Sequence, residues 1–237
     1  MSGHSKWSTI KRAKGAADAK RSQLFTKLAK AITVAARGGG EVDMNPKLRL
    51  AVDRARCFSM PKDSMERAIQ KGAGGGDGAH LEEVRYEAYG PGSVAFLIDA
   101  LTDNRNRTSS EVRHLVERHG GRMAEVGSVG WMFELKGLLQ LPLPANRDEV
   151  ELALIEAGTD DITEHENELT ITCPPQAFEA VKQVLAAHHI TPEYVSLEPV
   201  AKTTAEANEP AVAQKLNKFR EALDENDDVT NFYDNEA

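Results

Sequence analysis

Apolar residues recur at helical spacing in the first part of the chain and at strand spacing beyond residue 84, and this change of period divides it. Leu24, Leu28, Ile32 and Ala35 return every three or four positions, with Phe25 beside them, which predicts a helix over 21–37. Gly38-Gly39-Gly40 stops it. Asn45-Pro46 reads as an N-cap followed by proline at the first helical position. It opens a helix over 46–58 with Leu48, Val52 and Ala55 inward and Lys47, Arg49, Arg54 and Arg56 outward. Met60-Pro61-Lys62-Asp63 starts a third helix that turns Met65 and Ile69 inward and ends at Gly72. Three short helices predict a small bundle. Residues 1–20 show no apolar period and are expected to be mobile without a partner. The glycine-rich stretch 72–78 reads as a hinge or linker.

Past that hinge, alternation over 84–89, a Gly90-Pro91-Gly92 turn and the apolar run 94–98 predict a hairpin. A helix follows over 107–119, with Val112, Leu115 and Val116 inward and Gly120-Gly121 as its stop. A strand begins near Met132. Then come a strand over 137–143, a helix over 148–157, a hairpin of 162–165 with 169–173, a helix over 175–188 and a strand over 194–200. This β-α-β-β-α-β order is that of a ferredoxin-like unit. A helix over 211–223 and a strand over 229–233 close the chain, and the strand is expected to complete the sheet begun at Val84. The predicted fold is α+β with three domains. A flexible basic arm (1–20) leads into the helical bundle and hinge (21–78), and an α/β domain (79–134 with 201–237) carries an inserted ferredoxin-like domain (135–200).

Charge follows the same division. Up to Gly75 there are sixteen Lys or Arg against six Asp or Glu; the rest holds thirteen against thirty-one, and the whole chain carries −8. A polyanion would meet an attractive end and a repulsive body, and nucleic acid, DNA or ribosomal RNA, is the expected partner. Aromatics make up only 5%, so the cores are expected to be aliphatic. Cys57 and Cys173 lie far apart in unlike contexts and suggest neither a disulfide framework nor a metal site, as in a reducing compartment. No run approaches the ~18 apolar residues of a membrane span. The arm has no apolar core of a secretory signal, and its two arginines, Arg12 and Arg21, fit a presequence poorly. A monomeric cytoplasmic protein of bacterial type is expected.

Candidate contacts to phosphate are Lys6, Lys11, Arg12, Lys14, Lys20 and Arg21 in the arm, then Lys47, Arg49, Arg54 and Arg56. Trp7 has the chemistry to stack on an unpaired base. The glycine-rich hinge lacks the Gly-Lys-Ser/Thr of a phosphate-cradling loop, so a linker is the better reading. Asp103, Asn104, Arg105 and Arg107 lie where a strand passes into a helix. They read as an N-cap with surface arginines, or else as a second contact to RNA or protein. Seven histidines show no metal-binding spacing, and the acids at Glu156, Asp160, Asp161, Glu164, Glu166 and Glu168 read as solvated. No residues stand in a catalytic spacing, so neither an enzyme nor a cofactor is expected.

Several blocks taken in order resemble the YebC family of bacterial and organellar regulatory proteins. They are Met1-Ser-Gly-His-Ser-Lys-Trp-Ser-Thr-Ile-Lys11, Asn45-Pro-Lys-Leu-Arg-Leu-Ala51, Met60-Pro-Lys-Asp63 and Glu66-Arg-Ala-Ile-Gln-Lys-Gly72. Further along stand Tyr86-Glu-Ala-Tyr-Gly-Pro91, Thr102-Asp-Asn-Arg-Asn-Arg-Thr108 and Gly127-Ser-Val-Gly-Trp-Met-Phe133. The resemblance implies a helical N-terminal domain and two α/β domains with an acidic cleft. It adds Lys62, Arg67 and Lys71 to the candidate contacts, beside Lys6, Trp7, Lys11, Lys47, Arg49, Arg105 and Arg107. It also implies one of two roles. Some members are described as DNA-binding transcriptional regulators, while others are linked to translation, through relief of ribosome stalling at proline runs.

Overall fold

The computed structural model describes residues 18–74, 81–165, 167–207 and 209–236. Helices α1 (Asp18–Ala36), α2 (Pro46–Cys57) and α3 (Lys62–Ala73) come first. Helix α1 has 19 residues, close to the helix expected over 21–37, and carries the two shorter ones. Asn45 joins the first two. Its side chain accepts from the Leu48 amide at 3.1 Å, capping α2, and donates to the carbonyls of Ala35 and Gly39 behind it. Leu28, Ile32, Leu48, Val52 and Met65 fill the bundle core, close to the predicted faces.

Gly72 lies inside α3 rather than ending it. A Cβ there would stand 2.2 Å from the Thr33 carbonyl oxygen of α1, so only glycine lets the two helices touch.

Strands β1 (Glu82–Tyr89) and β2 (Ala95–Thr102) form the predicted hairpin, followed by α4 (Arg105–Arg118). Strand β3 (Arg122–Ala124) pairs with the end of β1 and was not foreseen, since three residues show no alternation. The chain continues through β4 (Phe133–Pro142), α5 (Arg147–Glu156), β5 (Asp161–His165), β6 (Glu168–Cys173), α6 (Phe178–Ala187) and β7 (Tyr194–Ala201). It ends in α7 (Pro210–Glu225) and β8 (Val229–Asp234).

Two four-stranded antiparallel sheets result, β3-β1-β2-β8 and β5-β6-β4-β7. The second has the strand order of a ferredoxin-like unit, its Leu139, Leu141, Leu169 and Ile171 packed under α5 and α6. Because β8 pairs with β2, the unit running from β4 to β7 is inserted into the first, entered and left at neighbouring residues (Phe133 opposite Ala201). Alternation along β2 serves two layers. Phe96 and Ile98 meet Phe219 of α7 on one face, while Ala95 and Leu97 meet Val129 and Phe133 on the other. Among the described residues, no helix is long and apolar enough to cross a membrane.

Helix α2 differs most from expectation. Its Leu50 and Cys57 pack against the core of the inserted unit, while Tyr194 of β7 enters the bundle core. Asp53 takes Lys182 of α6 at 2.9 Å. Arg54, expected outward, turns inward and donates from Nη2 to Asn231 of β8. A helical pattern reports which face is apolar, not that neighbouring units cover the polar side as well.

Replacing Gly72 by alanine is expected to force α1 and α3 apart and lower stability by about 1–3 kcal/mol, despite alanine's better helix propensity. Urea unfolding measures it, and an unchanged midpoint would contradict this close contact.

Candidate nucleic-acid interface

Helices α1 and α3 meet where the Thr33 hydroxyl donates to the Ala68 carbonyl at 3.2 Å, beside Gly72. Away from that contact they part around a groove of about 690 Å³. Buried or half-buried Phe25, Ala29, Met60 and Ala68 make its floor. Its cations are Arg21 and Lys30 from α1 and Arg67 and Lys71 from α3, and among the described residues no Asp or Glu lines it. The helical repeat explains the grouping. Arg21, Phe25, Ala29 and Thr33 stand four apart on α1, as Arg67 and Lys71 do on α3, so each set shares a face. Arg67 is steadied by its own helix, with Nε on the Asp63 carbonyl at 3.1 Å and Nη2 on Ser64 Oγ at 3.2 Å. Among the described residues no carboxylate pairs with Arg21 or Lys71.

Three of the expected contacts, Arg21, Arg67 and Lys71, are thus brought to one place. Lys6, Trp7, Lys11, Arg12 and Lys14 lie outside the described residues. Lys20 is exposed and 3.8 Å from Glu225, a pair too open to hold much energy. Lys62 is exposed beside Glu66, and Lys47 is exposed at the start of α2. Arg56 pairs with Asp53, and Arg49 donates to the Val42 and Asp43 carbonyls. Arg54 leaves the candidate set, because its Nε is shut away from solvent between domains. Lys30 and Phe25 were missed as site residues. Their only signal was position, Phe25 about one turn and Lys30 about two and a half turns beyond Arg21, beside the buried stripe.

The Thr102–Thr108 block proves to be an anchor. Asn104 caps α4 by accepting from the Arg107 amide at 3.1 Å, which bears out the N-cap reading. Arg107 Nη2 and Thr108 Oγ1 each lie 2.7 Å from Asp228 Oδ2, while Arg105 stays exposed. Burial opposes the charge on Asp228, yet Arg107, Thr108 and Lys30 hold its carboxyl below the usual range. Lys30 is shared: it lines the groove, reaches Asp228 at 3.3 Å and donates to the Asp227 carbonyl at 2.9 Å. Lys27 donates to the Asp224 carbonyl near the end of α7, and burial pushes its pKa down to about 8 against the pull of Asp224 and Asp227. One wall of the groove is therefore fastened to the α/β body.

A second motif surrounds Glu87. Its two oxygens accept the amides of Gly127 (2.7 Å), Val129 (2.6 Å) and Gly130 (3.0 Å), which fixes a loop carrying exposed Val126 and Trp131. Burial opposes ionisation of Glu87, but these three donors and Arg85 hold its pKa below the ordinary 4.5. Among the described residues, no group of His, Cys, Asp and Glu is placed to hold a metal.

A cationic groove on a helical bundle, fused to a sheet domain with a ferredoxin-like insertion, defines the class of protein. The chain belongs to the TACO1/YebC family: the model of the family's N-terminal domain matches residues 5–75, and that of its second and third domains matches residues 81–236. Relatives from Geotalea uraniireducens and from Geobacter sp. (strain M21) are each 47% identical over 236 residues, covering 99% of this chain and 95% of theirs. Both are described as probable transcriptional regulatory proteins. The crystal structure of a conserved hypothetical protein from Aquifex aeolicus superimposes with a TM-score of 0.83 at 40% identity, covering 93% of this chain and 91% of that one.

Exchanging Glu87 for glutamine leaves one acceptor oxygen for three amides and is expected to lower stability at neutral pH by about 1–3 kcal/mol. A carboxyl whose folded pKa is depressed stabilises fully above its unfolded pKa and loses that contribution as pH falls through the folded value. The gap between parent and variant should therefore narrow as pH falls below the ordinary 4.5 and through the depressed folded value. Denaturant titrations across that range read it, and a constant gap would show that the charge is not what holds the loop.

Proposed function

We propose that this chain regulates gene expression without catalysing a reaction, by holding the phosphate backbone of a nucleic acid on its helical bundle. One observation carries the reading. Arg21, Lys30, Arg67 and Lys71 converge on a groove with no acid among the described residues of its lining, in the part of the chain where cations outnumber acids sixteen to six. Cations at such a surface attract phosphates without choosing a sequence, and the acid-rich remainder turns a polyanion toward the bundle.

The description of the relatives as probable transcriptional regulatory proteins supports DNA as the target and a DNA-binding transcriptional regulator as the role. A second reading, a ribosome-associated translation factor on ribosomal RNA, is favoured by α3. As the second helix of a helix-turn-helix it would present its N-terminal end to base edges, and that end carries Asp63 and Glu66. Crosslinking by ultraviolet light in cells, followed by sequencing of the attached nucleic acid, separates the two. Reads gathered at a few ribosomal RNA sites favour translation; reads at discrete promoters favour transcription.

The groove itself is tested in solution. Arg67→Gln and Lys71→Gln should each weaken binding to every sequence alike and lower the slope of log affinity against log salt by about one. An unaltered slope in both variants would remove the groove from the interface.

A further inference from the structure

The groove has an apolar floor as well as cations, and that combination narrows its ligand. Resting on the nucleic-acid reading above, we infer that it takes an unpaired polynucleotide strand, with a base laid against Phe25 and the flanking phosphates on Arg21, Arg67 and Lys71.

Width is the first argument. A duplex whose major groove alone is about 12 Å wide and admits a whole helix is broader than a cleft of about 690 Å³ between two helices of one bundle. A single strand enters the cleft between α1 and α3; a duplex rests on its rim. The second argument is the floor. Phe25 is half-buried in the groove with Ala29, Met60 and Ala68 around it, a surface that leaves a bare phosphate without partners and suits the flat face of a base. Base-on-aromatic stacking beside cations is the general chemistry of single-strand binding, and it tolerates any sequence.

Cation spacing is the third. Arg21 and Lys30 lie nine residues apart on α1, about 14 Å along the helix. Lys30 is already held by Asp228, which leaves Arg21 on one wall to face Arg67 and Lys71 on the other. Three cations on two walls offer places for more than one phosphate, and stacked nucleotides bring a phosphate about every 3.4 Å along a strand. Charge excludes the alternative occupants. The segment before α1 brings Lys6, Lys11, Arg12 and Lys14, which the groove repels. An apolar peptide would cover the cations and offer them nothing.

The test compares the full chain on fluorescent uridine and thymidine homopolymers and on a blunt duplex of equal charge, by anisotropy at physiological salt. Tighter binding to the single strands is expected, and the ratio of uridine to thymidine affinity assigns the source to RNA or DNA. Phe25→Leu, which keeps the bulk and removes the ring face, should weaken single-strand binding by about tenfold, with the thermal midpoint read in parallel to show that the fold is kept. Equal or tighter binding to the duplex overturns the inference while leaving the nucleic-acid reading intact, as does an undiminished affinity in a folded Phe25→Leu. Binding of none of the probes overturns both.

Discussion

A guanidinium enclosed between separate layers of structure holds the parts of this molecule in one arrangement. Arg54 leaves α2, gives a hydrogen bond to Asn231 of β8 and stands among Tyr194, Tyr233, Glu198 and Asp99. Burial works against its charge, and those neighbours raise its pKa above that of an ordinary arginine. A planar cation with fixed donor directions tolerates few geometries. Tyr194 hydrogen-bonds Glu198 on its own strand and places its ring in the bundle core, so β7 belongs to two cores at once. The bundle is thereby locked to both sheets at α2.

The groove is stiff where it must be narrow. Gly72 sets the closest approach of α1 and α3, and Thr33 bonds across it. Lys27 and Lys30 fasten α1 to the carbonyls near the end of α7 and the turn before β8, where the helix dipole already favours a cation. The cations that remain for a ligand are those the fold does not use itself. Arg107 shows the contrast: it stands in the densest polar block outside the basic arm, yet pairs with Asp103, Glu111 and Asp228.

Much of this was legible in the sequence. Leu48, Val52 and Ala55 mark the inner face of α2, and the β-α-β-β-α-β succession gives a ferredoxin-like sheet, because both depend on local period. What was not legible depends on partners distant in the chain. Arg54 looks like a surface residue until β7 and β8 cover it. Gly72 looks like a helix stop until Thr33 is seen against it. The site was half visible: charge counting singled out Arg21, and the family blocks supplied Arg67 and Lys71, but neither said that they meet. Phe25 and Lys30 emerged only when α1 was set beside α3.

The order of strands in the first sheet has a consequence for how the chain is made. Strand β2 waits for β8, and more than a hundred residues separate them. During synthesis the inserted unit has all four of its strands before α7 exists, so it completes first, while the sheet that frames it keeps an open edge. Phe96 and Ile98 stay without Phe219 and Phe232 until then. Vectorial folding thus finishes the insertion before its host, and a nascent chain halted short of β8 would present a bare strand edge to pair with a neighbour.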